Sequence, residues 1–176
     1  MKTSDITLCL TGTINEQNVR DFISELRNRI KENPQGSALT IYISSPGGSV
    51  DLAFALFSFL KLLGCRVTTV NSSHVFSAAN ILFAAGDRRR CFSSANFYFH
   101  AVTKNLNGNF TAQYLLREAK GLALDSDKIA SVLSDISNKN KSYWKRLMRK
   151  GSWLSPLKAR EVGLVNEISN LEQKIF

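Results

Sequence analysis

The sequence predicts an α/β fold built on a mainly parallel sheet with βαβ crossovers, on three observations. Short β-rich runs alternate with apolar helical stretches through the first hundred residues, an order that implies parallel strands joined by right-handed connections. The run Ile41 to Ser45 ends in Pro46-Gly47-Gly48 and passes at once into a long apolar stretch, which reads as strand, tight turn and helix. Leu115, Leu122, Ile129 and Ile136 then recur every seven residues, with Ala119 and Leu133 between them. That spacing marks a helix packed on another helix, from this subunit or a second, or an amphipathic helix on its own sheet.

Taken in order, Ile6 to Leu10 reads as a buried strand. Asn15 is placed to cap a helix over about 16–31, whose stripe is Val19, Phe22, Ile23, Leu26 and Ile30. Pro34 and Gly36 end it. Leu39 to Ile43 is the second strand. Val50 to Leu63 is apolar nearly all round, which predicts a deeply buried helix stopped by Gly64. Val67 to Val70 is the third strand, and Asn71 to Phe76 reads as a loop. A short helix runs from Ser77 to Ala85 before Gly86, and Arg90 to Phe92 and Asn96 to His100 are further strands. Thr103 to Asn109 is polar and irregular, Thr111 to Asn138 helical, and Lys141 to Arg149 a basic helix. A short helix near 155–162 and a strand at Val165 to Ile168 close the chain.

With 176 residues the chain fits one domain over 1–176, with a core at 6–100 and 151–168 and a helical region at 103–150. The start carries no apolar run behind a basic segment, and no stretch is long enough to span a bilayer, so no membrane partner is expected. Cys9, Cys65 and Cys91 are widely spaced among apolar neighbours, which predicts reduced core thiols and a cytoplasmic location. No Cys/His cluster is present, so neither a metal nor a cofactor is expected. The net charge of +9 gathers at Arg88-Arg89-Arg90 and in six basic residues from Lys139 to Lys150. Without a nucleic-acid motif that reads as a solvated surface or one facing an acidic partner, and nucleic acid is not an expected partner.

The chemistry concentrates at three places. Glycines in the Gly47-Gly48 turn leave N–H groups pointing outward, the makings of half an oxyanion hole. Ser77 opens an apolar helix; a serine there is commonly a cap, but near Gly48 it becomes a candidate nucleophile, and the N–H of Ala78 a second oxyanion donor. Of the two histidines, His74 and His100, the latter ends the strand Asn96-Phe-Tyr-Phe-His100 and is the better candidate for the general base.

In that order the chain resembles the ClpP family of Clp-protease proteolytic subunits. The resemblance rests on Ser-Pro-Gly-Gly, on Ser77 opening a helix that ends Ala85-Gly86, on a histidine at a strand end, and on Trp153-Leu154-Ser155 followed by Ala159 and Gly163-Leu164-Val165. It covers about 6–168. It implies a ClpP/crotonase-like fold with a protruding handle helix, and a serine endopeptidase with Ser77 as nucleophile, His100 as base, and Gly48 and Ala78 as oxyanion donors. Peptides or unfolded proteins would be cut inside an oligomeric chamber. The handle would interlock two rings of seven, making the expected partner further copies of this chain, and an AAA+ unfoldase would feed the chamber.

Three departures stand beside this. The family's triad acid falls at Gly151, and losing that acid can cost roughly 10⁴ in rate; Ser152, a backbone carbonyl, Asp125 or Asp127 are the substitutes within view. Phe76 stands where the family has a small residue and is expected to crowd the pocket. Nothing ahead of Ile6 matches the family's axial loops, which leaves the unfoldase partnership open. The alternative is therefore a catalytically weakened homologue serving as a structural or regulatory ring partner. A Ser–Lys enzyme using Lys120 or Lys128, and a crotonase-type acyl-CoA enzyme, fit the sequence less well.

Overall fold

The computed structural model describes residues 5–33 and 38–170. Pro34 and Gly36, read as the end of the first helix, lie outside them. The first strand, β1 (Ile6–Thr11), alternates buried and exposed side chains, and α1 (Glu16–Glu32) follows with the Asn15 side chain accepting from the N–H of Asn18. Its buried residues are Val19, Phe22 and Leu26, within the stripe read from the sequence. Next come β2 (Ala38–Ser45), α2 (Val50–Lys61), β3 (Arg66–Phe76), α3 (Ala79–Ala84), β4 (Arg88–Phe92) and β5 (Asn96–Phe99). Residues 101–110 carry no helix or strand. The chain ends with α4 (Ala112–Asp135), α5 (Lys141–Lys150), β6 (Ser152–Leu154), α6 (Pro156–Glu161) and β7 (Glu167–Ser169).

The sheet runs β1-β2-β3-β4-β7, all parallel, and β3 forks at its far end. Thr68 to Asn71 pair with β4, while His74 to Phe76 pair with β5, whose other edge takes β6 antiparallel. Asn71 to Phe76 is therefore strand, not loop. Its polar residues masked this, but they bond to flanking strands: Asn71 Nδ2 donates to Asn96 O and Ser72 Oγ to Ile43 O. Turns that follow parallel strands gather at one end of the sheet, where such folds place their working sites.

Two burial expectations are corrected. Only Ala53, Leu56 and Leu60 of α2 are buried; Phe54, Phe57 and Phe59 are half-covered, and Leu62 just beyond is 84% exposed. An all-round apolar helix has two faces to cover, and this chain covers one. Cys91 is a core thiol, whereas Cys9 lies on the outward face of β1 and is exposed. In α4 the buried residues are Ile129, Ala130 and Leu133, and none lies in Ala112–Lys128, so that stretch stands clear of the core. No helix among the described residues is long and apolar enough to cross a membrane.

One buried cation ties the C-terminal elements together. Arg89 is 7% exposed, and its guanidinium donates to the carbonyls of Leu164 (2.9 Å), Gly86 (3.1 Å) and Ile136 (2.9 Å), with no carboxylate in ion-pair range among the described residues. Burial lowers its pKa, against the pull of Asp87. Three chain turns thus end on one side chain. Replacing Arg89 by Met leaves those carbonyls buried without donors, and the expected loss is about 3 kcal/mol of folding stability, read as a lower urea midpoint.

Candidate active site

The carboxyl end of β2 is stitched down so that one N–H is left over. Ser45 Oγ accepts from Gly47 N, Ile14 N donates to Gly47 O at 2.8 Å, and Ser49 N donates to Ile14 O at 2.9 Å. The N–H of Gly48, between them, donates to nothing among the described residues. Gly47 and Gly48 have φ of +96° and +145°, a region that side chains rarely adopt. Space excludes them too. A Cβ on Gly47 would lie 2.7 Å from Ser77 Cβ, and one on Gly48 2.4 Å from Ile14 O. Gly47 thus lets the turn press directly against the serine, and Gly48 lets it press against the Ile14 backbone.

Ser77 follows the last residue of β3, with a φ of +52°, the only positive value at a non-glycine among the described residues. Regular helix begins two residues later, so Ser77 does not open α3 as a cap; it sits on a sharp strand-to-helix turn. Such a conformation costs about 1–3 kcal/mol and persists where neighbours hold it. Here Ser77 N donates to Tyr98 O at 3.0 Å, and the buried Asn80 Nδ2 donates to both Ser77 O and Tyr98 O at 3.0 Å. The turn brings Ser77 to the wall of a cavity, and a sharp strand-to-helix turn is a geometry that can present a serine hydroxyl as a nucleophile. The Ala78 N–H beside it has no acceptor among the described residues.

His100 follows β5 and shares with Ser77, Ala78 and Gly48 the wall of one small cavity of about 70 Å³, completed by apolar side chains including Phe99, Ile129 and Met148. The Ser77 hydroxyl and the imidazole are not hydrogen-bonded to each other; bonds of this kind commonly tighten only when substrate is bound. His100 Nδ1 lies 2.7 Å from the carbonyl oxygen of Ala101. A carbonyl only accepts, so Nδ1 is the donor in this contact, and in the neutral ring that tautomer leaves Nε2 with the lone pair a base requires.

Several sequence expectations shift. Phe76 does not line the cavity: its ring packs edge-on against Trp153 at 5.0 Å and Tyr98 at 6.0 Å, near His74. His74 Nδ1 instead approaches Ser44 Oγ at 3.2 Å. Asp125 bonds Lys128 and Asp127 bonds Lys145, so neither carboxylate is directed to His100. Neither Lys120 nor Lys128 lines the cavity, against the Ser–Lys alternative. Burial pushes the Cys91 thiol up to about 12, which leaves it un-ionised at neutral pH. Asn80 is the residue the sequence did not suggest. An asparagine inside an apolar helix was the available signal, since a fully buried amide needs partners.

The chain is similar to known proteins over nearly its whole length. The family model described as Clp protease matches residues 2–172. A proteolytic subunit of an ATP-dependent Clp protease from Treponema denticola is 25% identical over 170 residues, covering 96% of this chain and 84% of the relative. The corresponding subunit from Chlorella vulgaris is 28% identical over 137 residues, 77% of this chain and 67% of the relative. One from Pseudomonas aeruginosa is 21% identical over 168 residues, 94% of this chain and 82% of the relative.

Proposed function

We propose that this chain, which belongs to the Clp protease family of serine-type peptidases, cleaves peptide bonds by acyl transfer at Ser77. The observation that carries the reading is the strained Ser77 turn, set in one cavity with His100 and flanked by the uncommitted N–H groups of Gly48 and Ala78. His100 Nε2 takes the hydroxyl proton as Oγ attacks the scissile carbonyl carbon. The negative charge that forms on the carbonyl oxygen is held by the two N–H groups. Collapse breaks the C–N bond, and the proton on His100 leaves with the amine. Water then repeats the sequence on the ester, giving the carboxylic acid and restoring Ser77.

The substrate in this reading is an extended peptide or unfolded protein, with its side chain in the apolar cavity. The chain works as one domain over 1–176, core at 6–100 and 151–168, with 103–150 as the handle. The half-covered face of α2 and the uncovered stretch of α4 support assembly of copies through those surfaces, and rings of seven stacked in pairs are the form that the family resemblance implies. The word ATP-dependent belongs to the relatives' names, and an AAA+ unfoldase partner is an extension of it to this chain. Three free cysteines support a cytoplasmic setting.

The second reading, a catalytically weakened ring partner, draws on Gly151, where no side chain stands. Treating the assembled protein with a fluorophosphonate and mapping the adduct by mass spectrometry separates the two. Stoichiometric modification of Ser77 is expected. An assembled protein that stays unmodified would leave the ring-partner reading standing.

A further inference from the structure

The missing acid leaves two tasks at His100: holding the proton on Nδ1, and stabilising the imidazolium that forms when Nε2 takes the serine proton. The Ala101 carbonyl performs the first. A neutral carbonyl does little for the second, and the geometry around Gly151 shows what else is there.

Gly151 ends α5 with a φ of +64°, and a Cβ on it would come 3.0 Å from the Tyr98 hydroxyl oxygen. The phenol oxygen therefore crowds any Cβ at that position and must give by a few tenths of an ångström to admit one. Tyr98 is fixed from several sides. Its cross-strand neighbours are Phe76 on β3 and Trp153 on β6. The Trp153 ring lies 4.6 Å from it at 33°, and Phe76 meets it edge-on at 6.0 Å. His100, two residues further along, projects to the same side. Its ring is stacked on Tyr98, with centroids 5.6 Å apart and planes 26° apart. An aromatic face within about 6 Å attracts a cation, by roughly 0.5–2 kcal/mol. The same residue's carbonyl also anchors Ser77 N–H and Asn80.

We propose that Tyr98 is a positioning residue that replaces the absent acid: its ring backs the His100 imidazole and stabilises the imidazolium, while the Ala101 carbonyl sets the tautomer. This rests on Ser77 and His100 acting as a pair. The phenol hydroxyl is not required, only the ring.

The test is the second-order rate of fluorophosphonate labelling from pH 5 to 9, for the native protein and for Tyr98→Phe, Tyr98→Leu and Gly151→Asp. Tyr98→Phe keeps the aromatic face and labels within about twofold of native. Tyr98→Leu labels roughly tenfold more slowly. Its ascending limb, where His100 loses its proton, moves to lower pH, because a cation deprived of its stabiliser gives up the proton more readily. A purely structural loss lowers the rate without moving that limb. Gly151→Asp brings no acceleration, since its Cβ is crowded by the Tyr98 hydroxyl at a left-handed φ of +64° and the imidazolium already has its stabiliser. Native-like labelling by Tyr98→Leu with an unmoved limb overturns the role of Tyr98, as does a tenfold acceleration by Gly151→Asp. Absence of native labelling instead overturns the pairing of Ser77 with His100, and this proposal with it. Should Tyr98→Leu not fold, ¹⁵N shifts of His100 in the native protein decide: a protonated Nδ1 is expected, and a protonated Nε2 refutes the scheme.

Discussion

Ser77→Ala, and separately His100→Ala, lower peptide hydrolysis by roughly 10⁶, and the double variant is no worse than either. In a serine protease with a full triad, removing the serine or the histidine costs about 10⁶, whereas removing the acid alone costs roughly 3 × 10⁴. A pair deprived of its orienting group is thus worth only about 10² over what the oxyanion hole and binding supply. The size of the drop is therefore diagnostic. A loss near 10⁶ means that the groups around His100 compensate for Gly151. A loss near 10² means an uncompensated dyad, and an unchanged rate removes Ser77 from the mechanism altogether. Steady-state cleavage of a fluorogenic peptide by the assembled protein measures it.

Gly48→Ala is the second large effect, and it acts without touching either member of the pair. The added methyl would sit 2.4 Å from Ile14 O and 2.9 Å from Ile14 N, both backbone atoms, at a φ of +145°. Nothing there is the far end of a flexible side chain, so the turn itself must shift. The Gly48 N–H is then carried away from the oxyanion, and removing one such donor costs about 10²–10³ in turnover. Binding of peptide in the ground state changes little, so the loss falls on kcat more than on KM. A Gly48→Ala protein with native kcat would exclude this N–H from the oxyanion hole.

Much of this was legible in the sequence, for identifiable reasons. Asn15 and the stripe of α1 follow from a single capping bond and a single period. The Gly47-Gly48 turn was legible because only glycine tolerates both its φ and its neighbours. Other features depend on partners distant in the chain. Asn71 to Phe76 looked like a loop because its polar side chains bond to neighbouring strands, a context no local pattern carries. The turn at Ser77 stayed hidden because its positive φ falls on a residue type that gives no sign of it, held by Asn80 and Tyr98 from elsewhere. The exposure of α2 was missed because apolarity on all sides says that a helix must be covered, but not by what.

The outer part of α4 has an energetic consequence of its own. Ala112–Lys128 places no side chain in the core, so its order is anchored at one end by Ile129, Ala130 and Leu133. Most helical stability in proteins comes from packing an apolar face, which this stretch lacks within its own chain. Order therefore propagates outward like a beam clamped at its root, with opening free energy falling toward Thr111. What opposes fraying at the far end is local: the Thr111 cap, the stacked rings of Phe110 and Tyr114, and the pair of Lys104 with Glu118. Amide exchange along this one helix thus forms a graded scale, slow at its root and fast at its tip, and anything that grips the tip flattens the gradient.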